Sequence, residues 1–259
     1  MTGSGVADPP PSEWDASAYD RLADPQARWG RTVLDRLVLD GDETVLDAGC
    51  GSGRVTEHLL HRLPEGRVVA LDASSSMLAE ARRRLSSHHD RVRFVHADLL
   101  ELCLSTVGEV PVDAVFSTAT FHWILDHDRL FANLATVLRP GGQLVAQCGA
   151  EGNLDALLAT VRSLGVQRAG RWLYASPGET EKRLEHAGFV NVQVWTSPEP
   201  TRFDERARLV DFLATVILRE HLGTLAPGER RPFVERVVGA MPEPVIDYVR
   251  LDIVATRGA

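Results

Sequence analysis

The chain has 259 residues, enough for one α/β domain with a well-buried core, or one domain plus a small cap. Its 44% hydrophobic and 25% charged residues are ordinary for a globular protein, and no apolar run reaches the ~18 residues that suggest a membrane span. A formal net charge of −8 disfavours a protein that grips a nucleic-acid backbone, which needs a positive footprint.

The first 13 residues are rich in Gly, Pro and Ser and lack a basic or apolar stretch, so they read as a disordered leader and not as a secretory signal. Residues 17–39 follow as a helix, with Leu22, Ala27, Val33, Leu34 and Leu37 at mixed three-to-four spacing. A short strand, Thr44 to Leu46, runs into Asp47 and glycines, and a helix from Val55 to Leu63 stops at Pro64 and Gly66. The second strand is Arg67 to Leu71. The helix after it, capped by Ser74 to Ser76, carries Met77, Leu78, Ala81 and Leu85. Strands follow at Val92 to His96 and Ala114 to Ser117. A helix from about Arg129 to Leu138 ends at Arg139-Pro140-Gly141-Gly142, before a fifth strand, Gln143 to Gln147. Glu179 to Ala187 forms another helix, stopped by Gly188, and Val190 to Trp195 a sixth strand. Residues 204–240 read as two helices joined near Leu225 to Gly228, and an apolar run from Tyr248 to Ala255 is the last strand. Alternating strands and helices predict a parallel sheet, and the late helix pair would lie over its carboxyl edge, where open α/β sheets bind ligands.

Val45 to Gly53, VLDAGCGSG, is a strand running into a glycine turn that opens a helix. Glycines there let backbone approach a ligand closely. The spacing is G-x-G-x-G with an acid two residues before the first glycine. A dinucleotide loop uses G-x-G-x-x-G instead, which argues against an NAD-dependent oxidoreductase. Asp47 would orient the turn and reach a cofactor amino group through water. Asp72 would accept both ribose hydroxyls, Asp98 the adenine amino group, and Met77 would pack on the adenine face. Taken singly, an acid at a strand end is a turn residue and a helical Met is core. Three successive strands ending in acids after this loop make the joint reading functional.

The pattern resembles class I S-adenosylmethionine-dependent methyltransferases, and within them the trans-aconitate methyltransferase family. The resemblance is carried by the glycine loop, Trp14, Tyr19, Asp72 to Arg82, Phe121-His122-Trp123-Ile124 with Asp126-His127, Leu138 to Gln147, the 204–240 helices and Leu251 to Arg257. It implies a Rossmann-like α/β fold: a seven-stranded, mostly parallel sheet with helices on both faces and a small helical cap inserted before the last strand. Residues 14–259 would form one domain, with an N-terminal helical lid at 14–39 and a substrate cap at 200–245.

The implied cofactor is S-adenosyl-L-methionine, with S-adenosyl-L-homocysteine as product. Gly49, Cys50, Gly51, Asp72, Ala73, Met77, Ala97, Asp98 and Leu99 match cofactor-binding positions. Tyr19 and Arg28 match a segment over the methionine end, where Arg28 would pair with the carboxylate. Thr118 falls where the fourth strand contacts the methionine amino group, and His122 and Trp123 match an aromatic step beside the methyl group. Arg219 matches a cap arginine. The family's tyrosine pair before the cap is replaced by Pro200-Thr201-Arg202, and Glu220-His221 stands where proline and tryptophan are expected.

Among the remaining residues, Gln26 lies two helical turns after Tyr19 and is a substrate candidate, as are Trp172 and Tyr174, which equally fit packing roles. His88-His89 reads as a solvated loop, and Trp195 as core. Cys50, Cys103 and Cys148 have no metal spacing, so no metal is expected and the thiols read as those of a cytoplasmic protein. Lys182 is the only lysine, an arginine bias typical of a GC-rich bacterial genome. The expected activity is methyl transfer to a small-molecule carboxylate oxygen, which is ionised at neutral pH and needs no general base. Arg219, Arg202 and Arg171 are available to bind the anion. A phenolic or terpenoid acceptor, with His122 as base, and a non-catalytic S-adenosylmethionine binder stand as alternatives. The chain is expected to act as a monomer or homodimer, with no nucleic-acid or membrane partner.

Overall fold

A computed structural model describes residues 24–166 and 171–259, the side chains from Arg28 onward. Helix α1 (Asp24–Leu34) leads to strand β1 (Thr44–Ala48), helix α2 (Arg54–His61), β2 (Arg67–Asp72) and α3 (Ser75–Arg84). Then come β3 (Val92–His96), the short α4 (Leu104–Val107), β4 (Val112–Thr118), α5 (His127–Val137) and β5 (Leu138–Gly149). After α6 (Asp155–Ser163) and α7 (Pro177–His186) the chain forms β6 (Phe189–Pro198) and the two-residue β7 (Thr201–Arg202). Helix α8 (Arg206–Phe212) continues through a π-turn, Leu213–Ile217, into α9 (Arg219–Leu222), followed by α10 (Pro227–Ala240), β8 (Val245–Ile246) and β9 (Val249–Arg257).

The seven-stranded sheet has the order β3-β2-β1-β4-β5-β9-β6. Strands β1 to β5 pair in parallel, and β9 runs antiparallel between β5 and β6. Alternate side chains feed opposite faces, as strand geometry requires. Leu46, Val115 and Leu144 join the core under α5 and α7. Val45, Phe116 and Val145 join the one under α1, α2 and α3. A third core, with Phe212, Phe233 and Val237, unites α8 to α10 with α6 and with Trp29 of α1. The seven-stranded fold with helices on both faces is thus present. No helix among the described residues is long and apolar enough to cross a membrane.

Three local departures from the sequence reading have physical causes. Arg139 to Gly142 is not a loop before the fifth strand but part of β5. Leu138 pairs with Val112, the register then shifts, and Gly141 at φ +76 absorbs the extra residues. The 204–240 segment holds three helices and a π-turn where periodicity suggested two helices. Helix α6 and the β7–β8 pair were not foreseen, because neither has a periodicity long enough to register. The leader and residues 14–23 lie outside the described residues.

Candidate functional site: a cofactor and acceptor cavity at the sheet's carboxyl edge

One cavity of about 910 Å³ opens along the ends of β1, β2 and β4 and extends beneath the α8–α10 segment. That volume is near the top of the range of ~300–1,000 Å³ for ligand pockets, enough for a nucleoside cofactor beside a small acceptor.

Its first half is built by the glycine turn. Gly49, Gly51 and Gly53 all take positive φ, which a residue with a Cβ adopts only at a cost. A Cβ on Gly49 would lie 2.2 Å from Thr120 Oγ1, whereas one on Gly51 would meet nothing within 4 Å, because it would project into the cavity. The Gly51 N–H donates to Asp72 Oδ2 and the Ser74 N–H to Asp72 Oδ1, each at 2.8 Å, so the carboxylate is held at the mouth of the turn. Burial raises the Asp72 carboxyl above its usual range, against the lowering by the Ser74 and Gly51 N–H donors. Asp47 differs from the other two acids. It lies inside β1, 2% exposed, and accepts a 2.6 Å hydrogen bond from Thr56 Oγ1, which ties strand to helix. Burial pushes it up to about 7. Asp98 is exposed at the cavity edge, and its Oδ1 accepts the Leu100 N–H at 2.9 Å. Met77 is buried and, with Ala73, Cys50, Ala97 and Leu99, completes this wall. A shallow glycine floor, a fixed carboxylate and an apolar wall suit a nucleoside, and these residues fit S-adenosylmethionine.

The second half begins at Thr118. The Thr120 hydroxyl donates toward the Thr118 carbonyl at 3.0 Å and the Gly49 carbonyl at 3.3 Å, linking β4 to the glycine turn. A short 3₁₀ turn, Phe121–Trp123, then presents His122 and Trp123. His122 is 8% exposed, and its Nδ1 accepts the Gly149 N–H at 3.3 Å. Burial, then the charges of Arg250 and His127, push its imidazole well below the usual range. Trp172 stacks on Tyr174 with centroids 5.6 Å apart, and Trp123 and His221 contact Trp172 at 5.9 and 5.6 Å. Val216 and Ile217 of the π-turn, with Arg219 and Glu220 of α9, form the roof, and Glu220 is fixed by accepting the Arg171 N–H at 2.8 Å.

Most residues singled out in the sequence therefore meet in one cavity, from Asp47 through Thr118, His122 and Trp123 to Trp172, Tyr174 and Arg219. Among the described residues, the Arg28 side chain is 61% exposed, reaches Glu199 at 4.0 Å, and is not part of the cavity wall. Helix geometry turns consecutive residues about 100° apart, and here Trp29 takes the inward position at 4% exposed. Tyr19 lies outside the described residues. Gln26 falls in α1, but its side chain lies outside them too. His88 and His89 sit in and after a 3₁₀ turn before β3 that does not line the cavity. Trp195 on β6 faces Arg36, whose guanidinium lies 4.9 Å from the ring centroid.

Residues that sequence reasoning missed are Thr120, Asn153, Arg230, Tyr248 and Arg250, all in the cavity wall. Arg250 had a signal. It and Asp252 are charged residues two apart in the mostly apolar first half of β9, which places both on one buried face.

A model of a methyltransferase domain matches residues 45–142. Trans-aconitate 2-methyltransferase of Azoarcus sp. (strain BH72) is 31% identical over 85% of this chain and 86% of its own length. That of Methylobacterium nodulans is 31% identical over 95% and 99%, and that of Escherichia coli (strain 55989 / EAEC) is 29% identical over 95% and 99%. Among solved structures, Haemonchus contortus phosphoethanolamine N-methyltransferase 2, bound to phosphomonomethylethanolamine and S-adenosylhomocysteine, aligns with TM-score 0.62 at 18% identity, covering 94% of this chain and 57% of that one. Geranyl diphosphate C-methyltransferase of Streptomyces coelicolor A3(2) aligns with TM-score 0.56 at 18% identity, covering 97% and 86%. These two show a shared fold. With the glycine turn, the Asp72 carboxylate and the whole-length relatives together, the chain belongs to the class I S-adenosylmethionine-dependent methyltransferases, in the family of the trans-aconitate 2-methyltransferases, and its cofactor is S-adenosylmethionine.

Proposed function

We propose that this methyltransferase transfers the methyl group to a carboxylate oxygen of a small polar acid. The observation that carries the reading is the charge of the acceptor half. Arg171, Arg219, Arg230 and Arg250 line it against two acids, Glu220 and Asp126. S-adenosylmethionine supplies an electrophilic methyl on a sulfonium. The protein must then bind and orient an oxygen in line with that methyl, and such positioning is worth roughly 7–11 kcal/mol of a barrier. A carboxylate is ionised at neutral pH and needs no proton removed. His122 agrees with this. Its Nδ1 is occupied by the Gly149 N–H and its basicity is suppressed by burial, so it is a poor general base and a good neutral wall. Trp123, with Trp172 and Tyr174, excludes water from the reacting oxygen. The family relatives act, by their names, on trans-aconitate, which is in line with an anionic acceptor.

A second reading, an uncharged phenolic or terpenoid acceptor, is favoured by the apolar roof at Val216 and Ile217. One screen separates the two. The protein is incubated with S-adenosylmethionine and, in turn, carboxylic acids including trans-aconitate, phenols and terpenoid alcohols, with products read by mass spectrometry. A base-labile methyl ester is expected. A base-stable methyl ether or a C-methylated product, with no ester from any acid, would overturn the carboxylate reading.

A further inference from the structure

Arg250 is a cation that the described part of the fold does not neutralise. It is 3% exposed on β9, its Nε makes no hydrogen bond, and among the described residues no carboxylate reaches its guanidinium within ion-pair distance. Burial lowers its pKa, as expected for a charge without a counter-ion. The acid beside it on the same strand face, Asp252, is already committed. It accepts from Arg36 Nη1 at 2.5 Å, Gln147 Nε2 at 2.7 Å and Ser197 Oγ at 2.7 Å.

The side chain is nevertheless held in place. Its guanidinium lies over Trp29, 4.7 Å from the ring centroid. Trp29 is fixed in turn, with Nε1 donating to Glu199 at 3.1 Å and its ring edge-on to Tyr248 at 4.9 Å. The Arg250 backbone is clamped between Gly149 of β5 and Ser197 of β6. Stacking engages the flat face of the guanidinium and leaves its edge of N–H donors for a planar two-oxygen acceptor. A buried charge costs far more alone than when paired, so a site that keeps one in a ligand cavity is built for the ligand that pairs it.

The position identifies which group of the acceptor that is. Strand β9 lies two strands from β4, whose end carries Thr118 and leads to the His122–Trp123 turn, where the carboxylate reading places the reacting oxygen. Two strand spacings are roughly 10 Å. We propose that Arg250, prearranged on Trp29, anchors a carboxylate of the acceptor other than the one that is methylated, and so sets which oxygen faces the methyl. This rests on the carboxylate reading above.

The test uses Arg250→Met, which keeps the length without charge, and Arg250→Lys, which keeps charge without the planar fork. Four quantities are measured: S-adenosylhomocysteine affinity and trans-aconitate affinity of the S-adenosylhomocysteine-loaded protein by calorimetry, kcat and KM, and the urea midpoint of the ligand-free protein. In Arg250→Met, affinity for trans-aconitate should fall roughly 100-fold and its kcat/KM advantage over the monocarboxylate crotonate should fall by a similar factor, as expected when a charged two-point contact is lost. Arg250→Lys should lose about tenfold. S-adenosylhomocysteine affinity should change less than about twofold, and the urea midpoint of Arg250→Met should rise, because an unpaired buried charge has been removed. A lower midpoint with unchanged acceptor affinity would make Arg250 structural. Equal loss of S-adenosylhomocysteine affinity would assign it to the methionine carboxylate instead. A wild type that makes no methyl ester refutes the reading beneath the proposal. A wild type whose trans-aconitate affinity matches that of Arg250→Met overturns the proposal itself, whether or not an ester forms.

Discussion

Gly49→Ala tests the join between the glycine turn and the fourth strand, on which the cofactor half of the cavity depends. Gly49 sits at φ +86, where a side chain costs about 1–2 kcal/mol. The new Cβ would also lie 2.2, 2.3 and 2.7 Å from Oγ1, Cγ2 and Cβ of Thr120. No rotation of Thr120 relieves the last contact, because its Cβ is fixed by the backbone, so the turn or the strand end must shift. Overpacking of this kind costs about 1–3 kcal/mol, for a total of roughly 2–5 kcal/mol. Urea unfolding of wild type, Gly49→Ala, Thr120→Gly and the double variant separates the two parts. Thr120→Gly removes all three contacting atoms. In its background the Gly49→Ala cost should drop to about 1–2 kcal/mol, giving a coupling of about 1–3 kcal/mol. S-adenosylhomocysteine affinity, measured on the same proteins, should fall in Gly49→Ala and recover partly in the double variant. A Gly49→Ala protein within about 0.5 kcal/mol of wild type, or an additive double variant, would refute the idea that this turn is pressed against Thr120.

Other expectations follow from the same geometry. Asp47, raised from 3.8 to about 7, binds its proton more tightly in the native state than in the unfolded chain. The native state therefore holds more protons between those values, and stability falls as pH rises through them, by up to about 4 kcal/mol. Asp47→Asn should remove that part of the slope. Parallel urea profiles for variant and wild type from acid to neutral pH would contradict it. Asp252→Ala leaves Arg36 and Gln147 without their buried acceptor and should cost about 3–5 kcal/mol in chemical denaturation. A loss below about 1 kcal/mol would mean the cluster is not held by this carboxylate. Trp123→Ala and Arg219→Ala should reduce turnover while calorimetric affinity for S-adenosylhomocysteine stays near wild type. Equal loss of cofactor affinity in either would move that residue to the cofactor half.

The nucleotide-facing half of the site was legible because its determinants are local in sequence. Asp72 is set by the end of β2, and Gly49 and Gly51 by a turn between β1 and α2. Their roles depend on positions a few residues apart, and a parallel sheet places successive strand ends along one edge. Asp47 was read from the sequence as the acid that orients the turn; the structure adds its buried partner, Thr56 of α2, which no local pattern names. On α1 the sequence could not say which side chain turns inward: one step along a helix rotates a side chain about 100°, and tertiary packing buried Trp29 while leaving Arg28 exposed.

What the sequence by itself determined is the chain of local units: the strand–turn–helix that fits S-adenosylmethionine, the acids and glycines beside it, and the alternation that makes a parallel sheet. What only the tertiary structure decided is the acceptor half. There Trp172 and Tyr174 from a connection, Arg219 from the late helices and Arg250 from the last strand line one wall, with Trp29 of the first helix stacked behind Arg250, across more than 200 residues of chain. No local pattern encodes such a meeting. It is fixed by β9 entering the sheet antiparallel between β5 and β6, which carries a buried guanidinium, without a carboxylate partner among the described residues, to the cavity wall while its neighbour Asp252 is neutralised by Arg36.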